Sequence, residues 1–111
     1  MLDKLQPEHV LYLDIETVPQ VEKLEDFPEK IQKLWIRKSE ALAKEGESAE
    51  KLFERAGIYA EFGKIVCISC GTIYRRGNKR FYRVKSFYGT DEATLLTDFL
   101  AMLDKFMANP V

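Results

Sequence analysis

The chain has 111 residues, 46% hydrophobic and 32% charged, which fits one globular domain or a piece of a larger one and suffices to bury a core. Seventeen Lys and Arg against eighteen Asp and Glu leave a formal charge of -1, which excludes a global basic field for gathering nucleic acid, so any anion-binding surface must be local. The N-terminus is polar and no apolar run approaches the ~20 residues of a membrane span, so no membrane partner is expected and the expected location is cytoplasmic.

Val10 to Val18 is rich in Val, Ile, Leu and Tyr and ends at Pro19, which cannot donate to a sheet ladder; the pattern predicts a first, central strand. Gln20 to Ala60 is a charged insertion with no β signal. Pro28 suits a first helical turn there, Ile31, Leu34, Trp35 and Leu42 recur at helical spacing, and Gly46 ends the run. A second short helix is expected from Ser48, a capping residue, to Gly57, and this helix pair is expected to be the least compact part of the chain.

Lys64 to Tyr74 and Lys79 to Tyr88 read as two strands of a hairpin, joined through Gly77 and Asn78. Thr90 or Asp91 then caps an amphipathic helix with Leu95, Leu96, Phe99, Leu100, Leu103, Phe106 and Met107 as its stripe, ending near Asn109-Pro110. Strand, helical insertion, hairpin, helix is an α/β or α+β order. An apolar helix packed on only three strands leaves one sheet face uncovered, so the chain reads as cut off.

Cys67 and Cys70 form a C-x-x-C inside an apolar strand. Residues three apart on a strand point to opposite faces, so the thiols cannot easily meet each other or one metal. Core packing is the expected role.

Asp14 and Glu16 are the residues with chemical promise. At i and i+2 of a strand they project from one face, about 7 Å apart at Cα. Like charges so placed repel unless a cation sits between them, and hard ions such as Mg²⁺ or Mn²⁺ take carboxylate oxygens. Two such ions ~3.5–4 Å apart bind an attacking water and a leaving oxygen of a phosphodiester together. Leu11, Leu13 and Ile15 are expected to anchor the other face in the core. The plainer reading makes the pair a solvated strand end, and a D-x-E triplet alone arises by chance in roughly one chain of this length in three.

"LYLDIETVP" resembles the first motif of the DEDD superfamily of 3′→5′ exonucleases. With "RAGIYAEFGKIVCISCG" it is similar to the group related to the proofreading exonuclease domain of family B DNA polymerases. The resemblance implies a ribonuclease H-like fold whose first three strands are antiparallel neighbours, two divalent cations (Mg or Mn), and hydrolysis of nucleotides from a nucleic acid, DNA first, at its 3′ end. It implies Asp14 and Glu16 as the catalytic, metal-binding carboxylates and places Ile15 and Thr17 near the terminal nucleotide. The family's second and third motifs, with the remaining acids and the general base, are missing. The 111 residues therefore read as the truncated N-terminal portion of one such domain, with an insertion at about 20–60, or else as a natural short form kept for another purpose, and in either case inactive alone.

"RRGNKRFYRVK", Arg75 to Lys85, holds six basic residues in eleven with Phe81 and Tyr82 interleaved. Arg75, Arg76, Lys79 and Arg80 are the candidates for phosphate contacts; the plainer reading is an exposed hairpin guarded against aggregation. The rival to the nuclease is thus a non-catalytic nucleic-acid-binding or protein-interaction domain. A homodimer through an exposed sheet edge is also expected.

Overall fold

The structure, a computed structural model, describes residues 2–108. After 3-10 turns at Leu2–Lys4 and Pro7–His9 come strand β1 (Tyr12–Pro19), a 3-10 turn (Leu24–Asp26), helix α1 (Glu29–Leu42) and the single turn α2 (Ala49–Leu52). A 3-10 segment (Phe53–Ile58) leads to β2 (Gly63–Arg76), β3 (Lys79–Tyr88) and α3 (Glu92–Ala108). The chain is a mixed α/β structure with one three-stranded antiparallel sheet in the order β1-β2-β3. Two compact units result: one comprises the residues up to Glu16 and from Ile65 onward, the other spans Thr17–Lys64.

In the first unit, β2 and β3 pair in unbroken register from Cys67↔Tyr88 to Arg76↔Lys79. Gly77 turns the hairpin with φ 63 at the first central position, the backbone of a type II′ turn that a Cβ would oppose. Asp91, rather than Thr90, caps α3: its carboxylate accepts from the Thr94 N–H at 3.3 Å and the Thr94 hydroxyl at 3.0 Å. Glu92 Oε2 accepts the Ile65 N–H at 2.6 Å, tying the start of the helix to β2.

Leu95 is buried with Ile68, Cys70 and Phe87, and Leu11, Ile65, Leu96, Phe99 and Met102 pack around them. Phe87 and Phe99 meet edge to face at 6.1 Å. The apolar stripe of α3 is narrower than its sequence suggests, since Leu100 and Met107 are 54% and 69% exposed. They stand about 140° and 120° round the helix from Leu95, beyond the face a flat sheet covers, whereas Met102 joins the packed side. The expected helix end at Asn109-Pro110 lies outside the described residues.

β1 is an edge strand and β2 the central one, which corrects the expectation of a central first strand. Only Leu11, just before β1, packs on the core beside α3; Leu13 and Ile15 are 49% and 43% exposed. Apolar alternation marks a strand that favours burial, but which strand becomes central depends on partners distant in sequence.

The Thr17–Lys64 unit is well packed, contrary to the expectation of a loose insertion. Trp35 has no exposed surface and is surrounded by Leu24, Phe27, Leu52, Phe53, Ala56 and Phe62. Its ring meets Phe53 and Phe62 edge to face at 5.7 and 5.0 Å, and its Nε1–H donates to the Ala49 carbonyl at 2.9 Å. The Ser48 hydroxyl caps α2 by accepting from the Lys51 N–H. The second predicted helix is one α turn that tightens into 3-10 before Gly57. Gly57 and Gly63 serve close approach: a Cβ on Gly57 would stand 2.8 Å from the Val18 carbonyl carbon, and one on Gly63 would collide with the Gly57 carbonyl oxygen. Gln20 completes the closure, its backbone N–H donating to Phe62 at 2.8 Å and its side-chain amide to the Gly63 carbonyl at 2.9 Å.

Candidate functional site

Strand alternation sorts the first unit's side chains onto two faces. The helix face carries Ile68, Cys70 and Phe87 under α3 and, toward the turn, Thr72, Tyr74, Arg76, Lys79, Phe81, Arg83 and Lys85. The open face carries Cys67, Ser69, Gly71, Ile73 and Arg75 opposite Tyr88, Ser86, Val84, Tyr82 and Arg80. A Cβ on Gly71 would sit 3.7 Å from that of Tyr12, so Tyr12 belongs to the open face. Asp14 and Glu16, two and four residues on, share it.

Both acids are therefore on one side of an exposed edge strand, as their spacing predicts. Among the described residues their side chains make no hydrogen bond and no ion pair. Two unengaged, solvent-facing carboxylates suit a hard divalent cation, whose preferred donors are oxygen. They are two donors only: among the described residues no group of three or more His, Cys, Asp and Glu side chains could hold a metal. Any ion they bind takes its other ligands from water or from groups beyond those described. Ile15 points to the other side of β1 from the two acids, and Thr17 opens the second unit with its side chain exposed.

The two cysteines separate as expected. Cys70 faces α3 and Cys67 the open face, and both are free thiols. Burial pushes the Cys70 thiol up, away from the reactive thiolate.

The four predicted phosphate-contacting residues do not form one patch. Arg75 and Arg80 are cross-strand partners on the open face, while Arg76 and Lys79 flank the turn on the helix face. Phe81 and Tyr82, adjacent in sequence, point to opposite sides. Phe81 instead stacks on Tyr74, with ring centroids 5.4 Å apart and planes 18° from parallel, and the Arg76 guanidinium lies 5.6 Å from the Tyr74 ring.

Glu8 holds the open-face arginines. Its Oε1 accepts from Arg75 Nε at 2.7 Å and lies 3.5 Å from Arg80 Nε, so one carboxylate answers two like charges placed directly opposite each other. Its own backbone N–H and then the Arg75 guanidinium hold the Glu8 carboxyl below its ordinary range. Arg76, Lys79, Arg83 and Lys85 have no carboxylate partner among the described residues.

Sequence reasoning passed over Glu8 and Tyr74, and counted Arg83 and Lys85 in the basic run without naming them as phosphate contacts. For three of them a signal exists: between Lys64 and Gly89 the chain has seven Lys and Arg and no Asp or Glu, although its overall charge is -1. Strand alternation applied to that stretch gathers Tyr74, Phe81, Arg83 and Lys85 on one face. Glu8 lies 67 residues from Arg75 and carries no such signal. Comparison with protein-family models, with curated proteins and with solved structures finds no match.

Proposed function

We propose that this chain supplies the first metal-binding strand of a 3′→5′ exonuclease acting on nucleic acid, with DNA 3′ ends as the first substrate to test and a ribonuclease H-like fold as its framework. The observation that carries the reading is that Asp14 and Glu16 share the open face of β1 with both carboxylates unengaged. Within the DEDD resemblance these are the acids that hold two Mg²⁺ or Mn²⁺ ions, which when bound activate water and stabilise charge on the scissile phosphate. The chain's own contribution is to set two carboxylates on one face of a strand, within reach of a common ion. Ile15 and Thr17 would flank the terminal nucleotide. With two of the four acids present, catalysis requires further ligands. The reading includes a homodimer through an exposed sheet edge such as β1; light scattering that returns only monomer removes that part.

Calorimetric titration with Mn²⁺ tests the metal site. The wild-type chain should give a weak saturable heat that Asp14→Ala/Glu16→Ala abolishes, and identical traces for the two would overturn the assignment.

A second reading, a non-catalytic nucleic-acid-binding domain, is favoured by the acid-free hairpin with its seven cations. It needs no metal and predicts oligonucleotide binding unchanged by Asp14→Ala/Glu16→Ala.

A further inference from the structure

We infer that the helix face of the hairpin is a platform for single-stranded nucleic acid, built from the stacked rings of Tyr74 and Phe81 and the cations Arg76, Lys79, Arg83 and Lys85. It rests on the reading that the chain engages nucleic acid, but it uses the face of the sheet away from Asp14 and Glu16 and requires neither residue.

The pair register sets these residues in rows that cross the hairpin: Arg76 with Lys79, Tyr74 with Phe81, Thr72 with Arg83, Cys70 with Lys85. Successive rows on one face are about 7 Å apart, so the cations bracket the rings along a track of about 20 Å. One row of positive charge running beside an aromatic step suits a single sugar-phosphate backbone with a base turned onto the ring. Phe81 is 38% exposed, enough to receive a base, and every base has a π-face, so sequence hardly matters. A duplex keeps its bases stacked and offers the ring nothing.

The track does not end at the rings. A groove of about 600 Å³ continues between the sheet and α3, lined by Cys70, Thr72, Arg83, Lys85, Met102 and Phe106. Apolar walls beside Arg83, Lys85 and Lys105 suit a nucleotide, whose base is flat and apolar and whose phosphate is charged.

Charge complementarity selects this occupant. The four cations have no carboxylate partner among the described residues, whereas the two arginines of the open face are already held by Glu8. Of the two faces, it is therefore the helix face that offers an anionic strand cations without a carboxylate partner among the described residues. The plainer role of such cations, guarding an edge strand, accounts for β3 but not for Arg76 on the central strand or for the ring pair.

The test is fluorescence anisotropy with a labelled oligothymidylate and the full chain in EDTA, so that failure of the metal site cannot affect it. Phe81→Ala and, separately, Arg83→Gln/Lys85→Gln should each weaken binding about tenfold, and the charge variant should also flatten the salt dependence by about 0.7 per lost phosphate contact. Lys30→Gln/Lys33→Gln on α1, which removes the same charge from the other unit, should change neither. Absence of binding, equal loss in the α1 control, or equal competition by a duplex of the same length would overturn the inference. Melting curves confirm that each variant is folded; if Phe81→Ala is not, Phe81→Leu, which keeps the apolar bulk and removes the π-face, takes its place.

Discussion

Glu8 and Arg75, 67 residues apart, are joined by a 2.7 Å hydrogen bond that fastens the chain's first segment to the hairpin. Arg80 lies opposite Arg75 and within 3.5 Å of the same oxygen. Glu8→Gln keeps the shape and removes the countercharge, leaving two arginines to repel each other. The melting temperature should fall at low salt, and the fall should largely vanish at ~1 M salt, where the Debye length is about 3 Å. Because the Glu8 carboxyl is held low, its contribution is complete above its ordinary 4.5, shrinks as pH falls below that and is gone past the depressed value. Wild type and Glu8→Gln should therefore converge in stability in acid.

The cap of α3 gives a second acid-sensitive element. Asp91 is held below its ordinary 3.8 by the Thr94 N–H and then by the Thr94 hydroxyl. Its stabilisation is present above that value and lost on further acidification. Asp91→Ala should lower the melting temperature at neutral pH, and Asp91→Asn, which still caps, should lower it far less. Far-UV circular dichroism over a pH series reads both.

Trp35 organises the second unit. Trp35→Ala should destabilise by about 3–5 kcal/mol, the usual cost of emptying so large a buried site. Trp35→Phe fills most of the space and removes one of two donors to the Ala49 carbonyl, which keeps the Phe53 N–H, so it should cost only about 0.5–1.5 kcal/mol for the lost hydrogen bond. Urea denaturation followed by circular dichroism separates the two variants.

Two glycines should respond in opposite directions. Gly57→Ala puts a Cβ 2.8 Å from Val18 backbone and should cost about 1–3 kcal/mol. Gly71 lies within β2, its nearest neighbour to a new Cβ being 3.7 Å away, so Gly71→Ala should be neutral or stabilise by up to about 0.5–1 kcal/mol. Thermal melts of the two variants give the contrast.

The local parts of this fold are written in local sequence. The hairpin follows from two β-rich runs around Gly77-Asn78, and β3 spans Lys79–Tyr88 as its pattern suggests. The same-face placement of Asp14 and Glu16 follows from the two-residue period of any strand. What escaped depends on partners far along the chain. β1 looks central because it is apolar, yet its position follows from which strands remain to pair with it. The basic run looks like one patch until the alternation of β2 and β3 divides it, and the Tyr74–Phe81 stack appears only once the register is known. The packing of residues 17–64 on Trp35 depends on Phe53 and Phe62, 18 and 27 residues downstream and past the end of α1 at Leu42.

The central claim is that Asp14 and Glu16 form the beginning of a metal site, and the most direct measurement is to locate a bound Mn²⁺ by paramagnetic broadening of backbone amide signals. Substoichiometric Mn²⁺ should broaden the amides around Asp14 and Glu16 first, and Asp14→Ala/Glu16→Ala should abolish that local effect. Broadening centred instead on the acids of the other unit, such as Glu22, Glu25, Glu50 and Glu54, or spread evenly over the chain, would contradict the claim.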